Sequence, residues 1–131
     1  MLISRRAAEE MVVHAREERP RECCGVLLGR DGDVIVEAVR TRNLADLPTR
    51  FLVDPQGHID ALRDGRRRGL DVVGFYHSHP ESAAVPSPRD LEEASYPDCL
   101  YLIVGLAGES AEIRAFHFDG SRFTEVAFDL E

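Results

Sequence analysis

The chain has 131 residues, 44% of them hydrophobic, which suits one domain that folds around a single buried core rather than a disordered chain. Its formal net charge is −8, from 24 acidic against 16 basic residues that are all arginine, so it has no general attraction for phosphate backbones and nucleic acid is not an expected partner. No apolar run reaches the roughly 20 residues of a membrane helix, Met1 to Arg6 lacks the apolar stretch of a signal peptide, and Cys23, Cys24 and Cys99 form neither a disulfide framework nor a C-x-x-C metal motif, so the expected location is the cytoplasm.

The first predicted element is a helix. Ser4 can cap it, Ala7, Ala8, Met11, Val12 and Ala15 recur at helical spacing, and Pro20 ends it. Cys23 to Leu28 is a short apolar run. Arg30-Asp31-Gly32-Asp33 carries the Asp-Gly hairpin signal, and Val34 to Val39 is the returning strand. Arg42 to Asp54 reads as a loop with a short strand at Phe51 to Val53. Pro55 to Leu70 reads as a second helix with Ile59 and Leu62 on its inner face.

Asp71 to Tyr76 is a strand of the buried type that leads into histidines, and Glu81 to Pro86 is a loop. Ser87 starts a third helix, with Pro88 at its first position and Asp90 completing an approximate capping box. Leu100 to Leu106 is another apolar strand. Ala111 to Phe118, Asp119-Gly120 and Arg122 to Phe128 form a final hairpin. The fold class expected is α/β: residues 1–131 as one domain, a mixed sheet flanked by helices.

The chemistry concentrates in His77-Ser78-His79-Pro80, Ser87 and Asp90, where a strand gives way to a helix. Side chains alternate along a strand, so His77 and His79 point the same way and Ser78 points away. Asp90, in the first turn of the next helix, can fold back to join them. Two imidazole nitrogens and one carboxylate suit Zn2+ and leave a fourth position for water, the mark of a catalytic site. A hydrolase then needs a carboxylate outside the ligand set to move a proton. Glu22 qualifies by its place before the apolar run, and Glu81 is its rival, two residues past His79; spacing does not separate them. Ser87 can cap the helix, stabilising it by about 1 kcal/mol, and can also donate to an oxyanion.

Glu22, the His77-Ser78-His79-Pro80 run, Ser87 and Asp90 together resemble the motif of the JAMM (MPN-plus) metalloproteases: a distal Glu, H-S/T-H-P, a short loop and S-x-x-D. Glu22-Cys23-Cys24-Gly25 is similar to that family's first strand. The resemblance spans Glu22 to Asp90 by motif. It implies a deaminase-like MPN sheet wrapped by helices and zinc on His77, His79 and Asp90. It makes Glu22 the proton shuttle and Ser87 the oxyanion donor. It also implies hydrolysis after the C-terminal glycine of a ubiquitin-like or sulfur-carrier protein. Apart from the resemblance, an extended Gly-Gly tail is expected to add as a strand beside the sheet near Arg42 to Val53.

Other features read more plainly. His14, His58 and His117 are surface or core residues, and Cys23 and Cys24 are buried strand residues. Arg63, Arg66, Arg67 and Arg68 form a solvated helix face, with a docking patch for an acidic carrier as the alternative. A zinc nucleobase deaminase would use His79-Pro80-Glu81 as H-x-E, but Pro97-Asp98-Cys99 lacks the required P-C-x-x-C. A non-catalytic MPN scaffold is the remaining alternative, and the complete ligand set argues against it.

Overall fold

The computed structural model describes residues 1–45 and 47–131. Ser4 opens the first helix by accepting the Ala7 N–H at 3.1 Å, and α1 runs Arg5–Glu18. The strands are β1 (Leu2–Ile3), β2 (Cys24–Arg30), β3 (Val34–Thr41), β4 (Asp71–His79), β5 (Leu100–Gly105), β6 (Glu112–Phe118), β7 (Phe123–Val126) and β8 (Asp129–Leu130). They form one eight-stranded sheet in the order β7-β6-β5-β4-β2-β3-β1-β8. The β4–β5, β1–β3 and β1–β8 pairs are parallel and the others antiparallel, so the sheet is mixed as expected.

The β2–β3 hairpin turns through Asp31 at φ 58° and Gly32 at φ 74°, both left-handed, within the three-residue connection between Arg30 and Val34. β2 is buried on both faces, which explains its unbroken apolar run. Leu27 packs with Met11, Tyr76 and Leu102 in the cluster that includes α1. Val26 and Leu28 pack with Phe75, Tyr101 and Ala61 in the cluster beneath α2 (Pro55–Arg67).

Three expectations need correction. The sheet gains β1 and β8, which pair with each other, and two-residue strands carry no periodicity to read. No strand forms at 51–53: Val53 makes only an isolated bridge to Asn43 within an otherwise irregular loop, and Asp46 of that loop lies outside the described residues. The inner face of α2 is Ala61 and Gly65, while Ile59 is 42% exposed. The helix meets the sheet through Ala61 and Gly65, with His58 packed edge-on against Phe75 and Leu62 half-buried.

The short helix α3 (Pro88–Glu93) hangs from β4 by the loop 80–86. Ala84 anchors that loop, fully buried against Ile103 and Phe116. It also lies over Gly105, where an added Cβ would stand 2.7 Å from the Ala84 nitrogen and 3.1 Å from the Ala83 carbonyl carbon. Gly105→Ala is therefore expected to destabilise the protein by about 1–3 kcal/mol through overpacking. Gly108→Ala, where an added Cβ meets only the Ser110 oxygen at 3.7 Å, should stay within about 0.5 kcal/mol of the parent. Urea unfolding of both variants checks the difference, and equal midpoints would contradict this account of the loop.

Candidate metal centre

Strand alternation brings Phe75, His77 and His79 of β4 to the face shared with α2, and sends Tyr76 and Ser78 to the other. The Nε2 atoms of His77 and His79 stand 3.2 Å apart. Asp90 Oδ2 lies 3.2 Å from the first and 3.1 Å from the second. Among the described residues this is the one group of three such donors that converges on a point.

Each donor is held from behind. His79 Nδ1 is 2.8 Å from the Ala83 carbonyl, which can only accept. The proton of the neutral ring therefore sits on Nδ1, and Nε2 keeps its lone pair facing inward. The His77 ring stacks on Phe51, with centroids 4.2 Å apart and planes inclined by 17°. Asp90 is fixed by the capping box foreseen in the sequence. Its Oδ2 accepts the Ser87 N–H at 2.9 Å, and its own N–H donates to Ser87 Oγ at 3.0 Å.

The donor set fits zinc by spacing as well as by chemistry. Ligand atoms about 2.0–2.1 Å from a tetrahedral zinc are about 3.3 Å from one another. The observed triangle has edges of 3.1, 3.2 and 3.2 Å. Its charges are strongly coupled. Burial lowers the His77 pKa against the pull of Asp90. Burial acts the same way on His79, but its bonds to Asp90 and to the Ala83 carbonyl outweigh it and the pKa is raised. Burial opposes the Asp90 carboxylate, yet its bonds to the two histidines hold its pKa well below the carboxylate range.

Glu22 and Glu81, which spacing left as rivals, are in unlike places. Glu81 has a side chain 75% exposed and faces Arg19 at 3.8 Å. Glu22 is buried, and burial together with the nearby Asp90 and Glu93 charges raises its pKa to about 7, although His79 pulls the other way. The antiparallel register pairs Cys24 with His77, and the Ser78 N–H donates to the Cys23 carbonyl at 3.1 Å. Glu22 lies one residue beyond that pairing, close enough to His79 and Asp90 for both charges to act on its carboxyl. Ser78 points away from the histidines, as alternation requires, and its hydroxyl accepts the Cys23 N–H at 2.8 Å. Cys23 and Cys24 are buried, with thiol pKa values pushed up to about 12 and about 11 by burial. His14 is a core residue bonded to the Tyr76 hydroxyl at 2.7 Å.

Several contributors had no sequence signal. Phe51 is one aromatic residue in an irregular loop, and nothing in its neighbours marks it as the wall of the centre. An apolar groove of about 1040 Å³ starts at His77 and Asp90 and runs past Phe51, Leu52, Ile59 and Tyr96. Its lining comes from elements scattered along the chain, so no local pattern announces it. The arginine face of α2 is partly neutralised: Arg68 is bonded to Glu37 and Asp64, and Arg67 to Asp64.

The chain is similar to known proteins along most of its length. The family model described as prokaryotic homologs of the JAB domain (Prok-JAB) matches residues 4–119. A desampylase of Haloferax volcanii is 37% identical over 131 residues, covering 95% of this chain and 92% of its own. A CysO-cysteine peptidase of Mycobacterium tuberculosis is 32% identical over 117 residues, covering 88% of this chain and 80% of its own. The solution structure of a protein from Desulfitobacterium hafniense superposes with a TM-score of 0.91 at 34% identity, covering 99% of this chain and 92% of that one.

The raised pKa of Glu22 makes a signed prediction for the metal-free protein. Below the ordinary value of 4.5 the carboxyl is neutral folded or unfolded, and burying it carries no ionic penalty. As pH rises toward about 7 the unfolded chain ionises first, so stability falls, and it levels off above that pH. Glu22→Gln should therefore be more stable than the parent by about 1–3 kcal/mol near pH 8 and by much less near pH 5. Denaturant titrations at the two pH values measure this, and equal gaps would show that Glu22 ionises as an ordinary carboxylate.

Proposed function

The chain belongs to the Prok-JAB family, and from that premise we propose that it is a zinc-dependent hydrolase of the amide bond after the C-terminal glycine of a ubiquitin-like or sulfur-carrier protein. The observation that carries this reading is the buried triangle of His77 Nε2, His79 Nε2 and Asp90 Oδ2 with edges of 3.1–3.2 Å, the span of three ligands on one tetrahedral zinc. These three residues are the proposed ligands. The chemistry such an ion supplies is Lewis acidity, which favours ionisation of water at neutral pH and polarises a carbonyl.

The chain's own residues carry the proton. Glu22, with a pKa of about 7 raised by burial, can take a proton from the attacking water and give it up within one cycle. Water oxygen bonds to the scissile carbonyl carbon, and Glu22 receives the released proton. As the C–N bond breaks, Glu22 returns that proton to the leaving amine. Ser87 is placed to assist: its Oγ lone pairs receive the Asp90 N–H, so its own proton stays free for the oxyanion of the tetrahedral intermediate. The apolar groove leading to His77 and Asp90 suits an extended peptide tail, which can also pair with the backbone of the 42–53 loop.

The substrate class rests on two relatives that are similar over most of this chain. One is named a desampylase and the other a CysO-cysteine peptidase. We read residues 1–131 as one catalytic domain working in the cytoplasm. No helix among the described residues is long and apolar enough to cross a membrane, and all three cysteines are free.

The test is a mass-spectrometric digest of each ubiquitin-like carrier encoded in the same genome, supplied with an extended C-terminus. One carrier should be trimmed to its terminal glycine, and a chelator should stop the reaction. Glu22→Gln should lower kcat by about 100-fold or more while zinc stays stoichiometric, whereas Asp90→Ala should lose the metal. Ser87→Ala should cost about 10-fold to 100-fold in kcat. Undiminished cleavage by Glu22→Gln, or protein that purifies without stoichiometric zinc, would falsify the reading.

A further inference from the structure

Glu22 sits where the sheet no longer holds it. β2 begins at Cys24, so the Glu22 backbone has no place in the ladder. Its N–H donates instead to the Pro48 carbonyl at 3.1 Å, and its carbonyl accepts from Asn43 Nδ2 at 2.9 Å. The next N–H, of Cys23, goes to Ser78 Oγ at 2.8 Å. Two of these three anchors belong to the irregular loop after β3.

Asn43 is the knot of that loop. Nδ2 also donates to the Arg50 carbonyl at 3.0 Å, while Oδ1 accepts the Ala45 N–H at 3.0 Å and the Leu52 N–H at 2.9 Å. Two amide hydrogens and two lone pairs are all used. The amide orientation is fixed by its partners, since a flipped group would set donors against N–H and acceptors against C=O. The two peptides it grips at Arg50 and Leu52 flank Phe51, whose ring lies on His77. Arg50 in turn reaches across to Glu93 of α3, at 2.5 Å.

We propose that Asn43 is a positioning residue for the amide-bond hydrolysis, one side chain that holds both the Glu22 backbone and the loop that keeps Phe51 against His77. This rests on the reading of Glu22 as the proton carrier. Proton transfer demands placement to within a fraction of an ångström, and a misplacement of about 1 Å costs about 100-fold. Serving both partners from one amide ties the carrier and the ligand wall to a common frame, so neither shifts without the other. Among the described residues, no other side chain is bonded to both the carbonyl of Glu22 and the 50–52 peptides.

Asn43→Asp is the discriminating variant. It keeps the acceptor for Ala45 and Leu52, and so the turn itself, but sets a carboxylate oxygen against the Glu22 and Arg50 carbonyls. Asn43→Ala removes both halves. With the carrier substrate that the parent cleaves, Asn43→Asp in the zinc-loaded full chain should lose about 10-fold or more in kcat with KM nearly unchanged. In the metal-free protein, proton NMR should show the His77 ring resonances losing the ring-current shift from Phe51, more in Asn43→Ala than in Asn43→Asp. Parental kcat in both variants would overturn the proposal, as would a kcat loss no larger than the unfolded fraction seen by circular dichroism. A parent chain that cleaves no carrier defeats the functional reading itself and takes this inference with it. A parent that cleaves normally while Asn43→Asp does too defeats this inference alone.

Discussion

The pairing of β2 with β4 is the constraint on which the site depends. Cys24 stands opposite His77, and the bonds between residues 23 and 78 extend that register toward Glu22 and His79. A slip of one residue would send Glu22 to the opposite face of the sheet from the histidines. The register is protected because both strands are buried on both sides. Val26, Leu28 and Phe75 fill the core beneath α2, and Leu27 and Tyr76 fill the core beneath α1. A slip would misplace all of them together. Apolar packing far from the chemistry thus fixes the position of a carboxylate that the ladder itself does not reach.

That packing also creates the electrostatic tension of the centre. Two imidazoles and two carboxylates lie in or beside a nearly dry site, where isolated charge is expensive. The consequences run in opposite directions for the two acids. Asp90 touches both histidines and the Ser87 N–H, and these bonds overcome burial to keep it ionised. Among the described residues Glu22 has no such side-chain bond, and burial keeps its proton available near neutral pH. One acid is therefore suited to hold a cation and the other to exchange a proton, and the difference comes from hydrogen-bond partners and not from residue type.

How much of this was legible depended on whether the signal was local. The capping box at Ser87 and Asp90 is written in consecutive residues, and it appears as read. The common direction of His77 and His79, and the opposite direction of Ser78, follow from strand alternation alone. The choice between Glu22 and Glu81 did not follow, because it turns on burial: Glu81 lies on the surface and Glu22 under the 43–52 loop. Ile59 was misplaced because its helix meets the sheet through Ala61 and Gly65, a matter of distance between elements. β1 and β8 were missed because each is too short for a period and is defined only by its partner.

The division between regular and irregular structure has its own logic. The three proposed ligands stand on β4 and α3, where backbone bonds and a capping box allow little drift. The groove beside them is walled in part by the loop from 43 to 53, held by one isolated bridge, a few backbone bonds such as that from the Leu44 N–H to the Leu52 carbonyl, and the Asn43 side chain. A loop of this kind can change its lining residues without disturbing the ligands, so the bond cleaved and the partner recognised can vary separately. The freedom has a limit. Because the same loop anchors the Glu22 backbone and presses Phe51 on His77, its tip can change while its base must stay. The exposed groove residues Leu47 and Leu52, 51% and 56% accessible, are therefore free to vary, whereas the residues at the loop base that hold the Glu22 backbone and Phe51 are not.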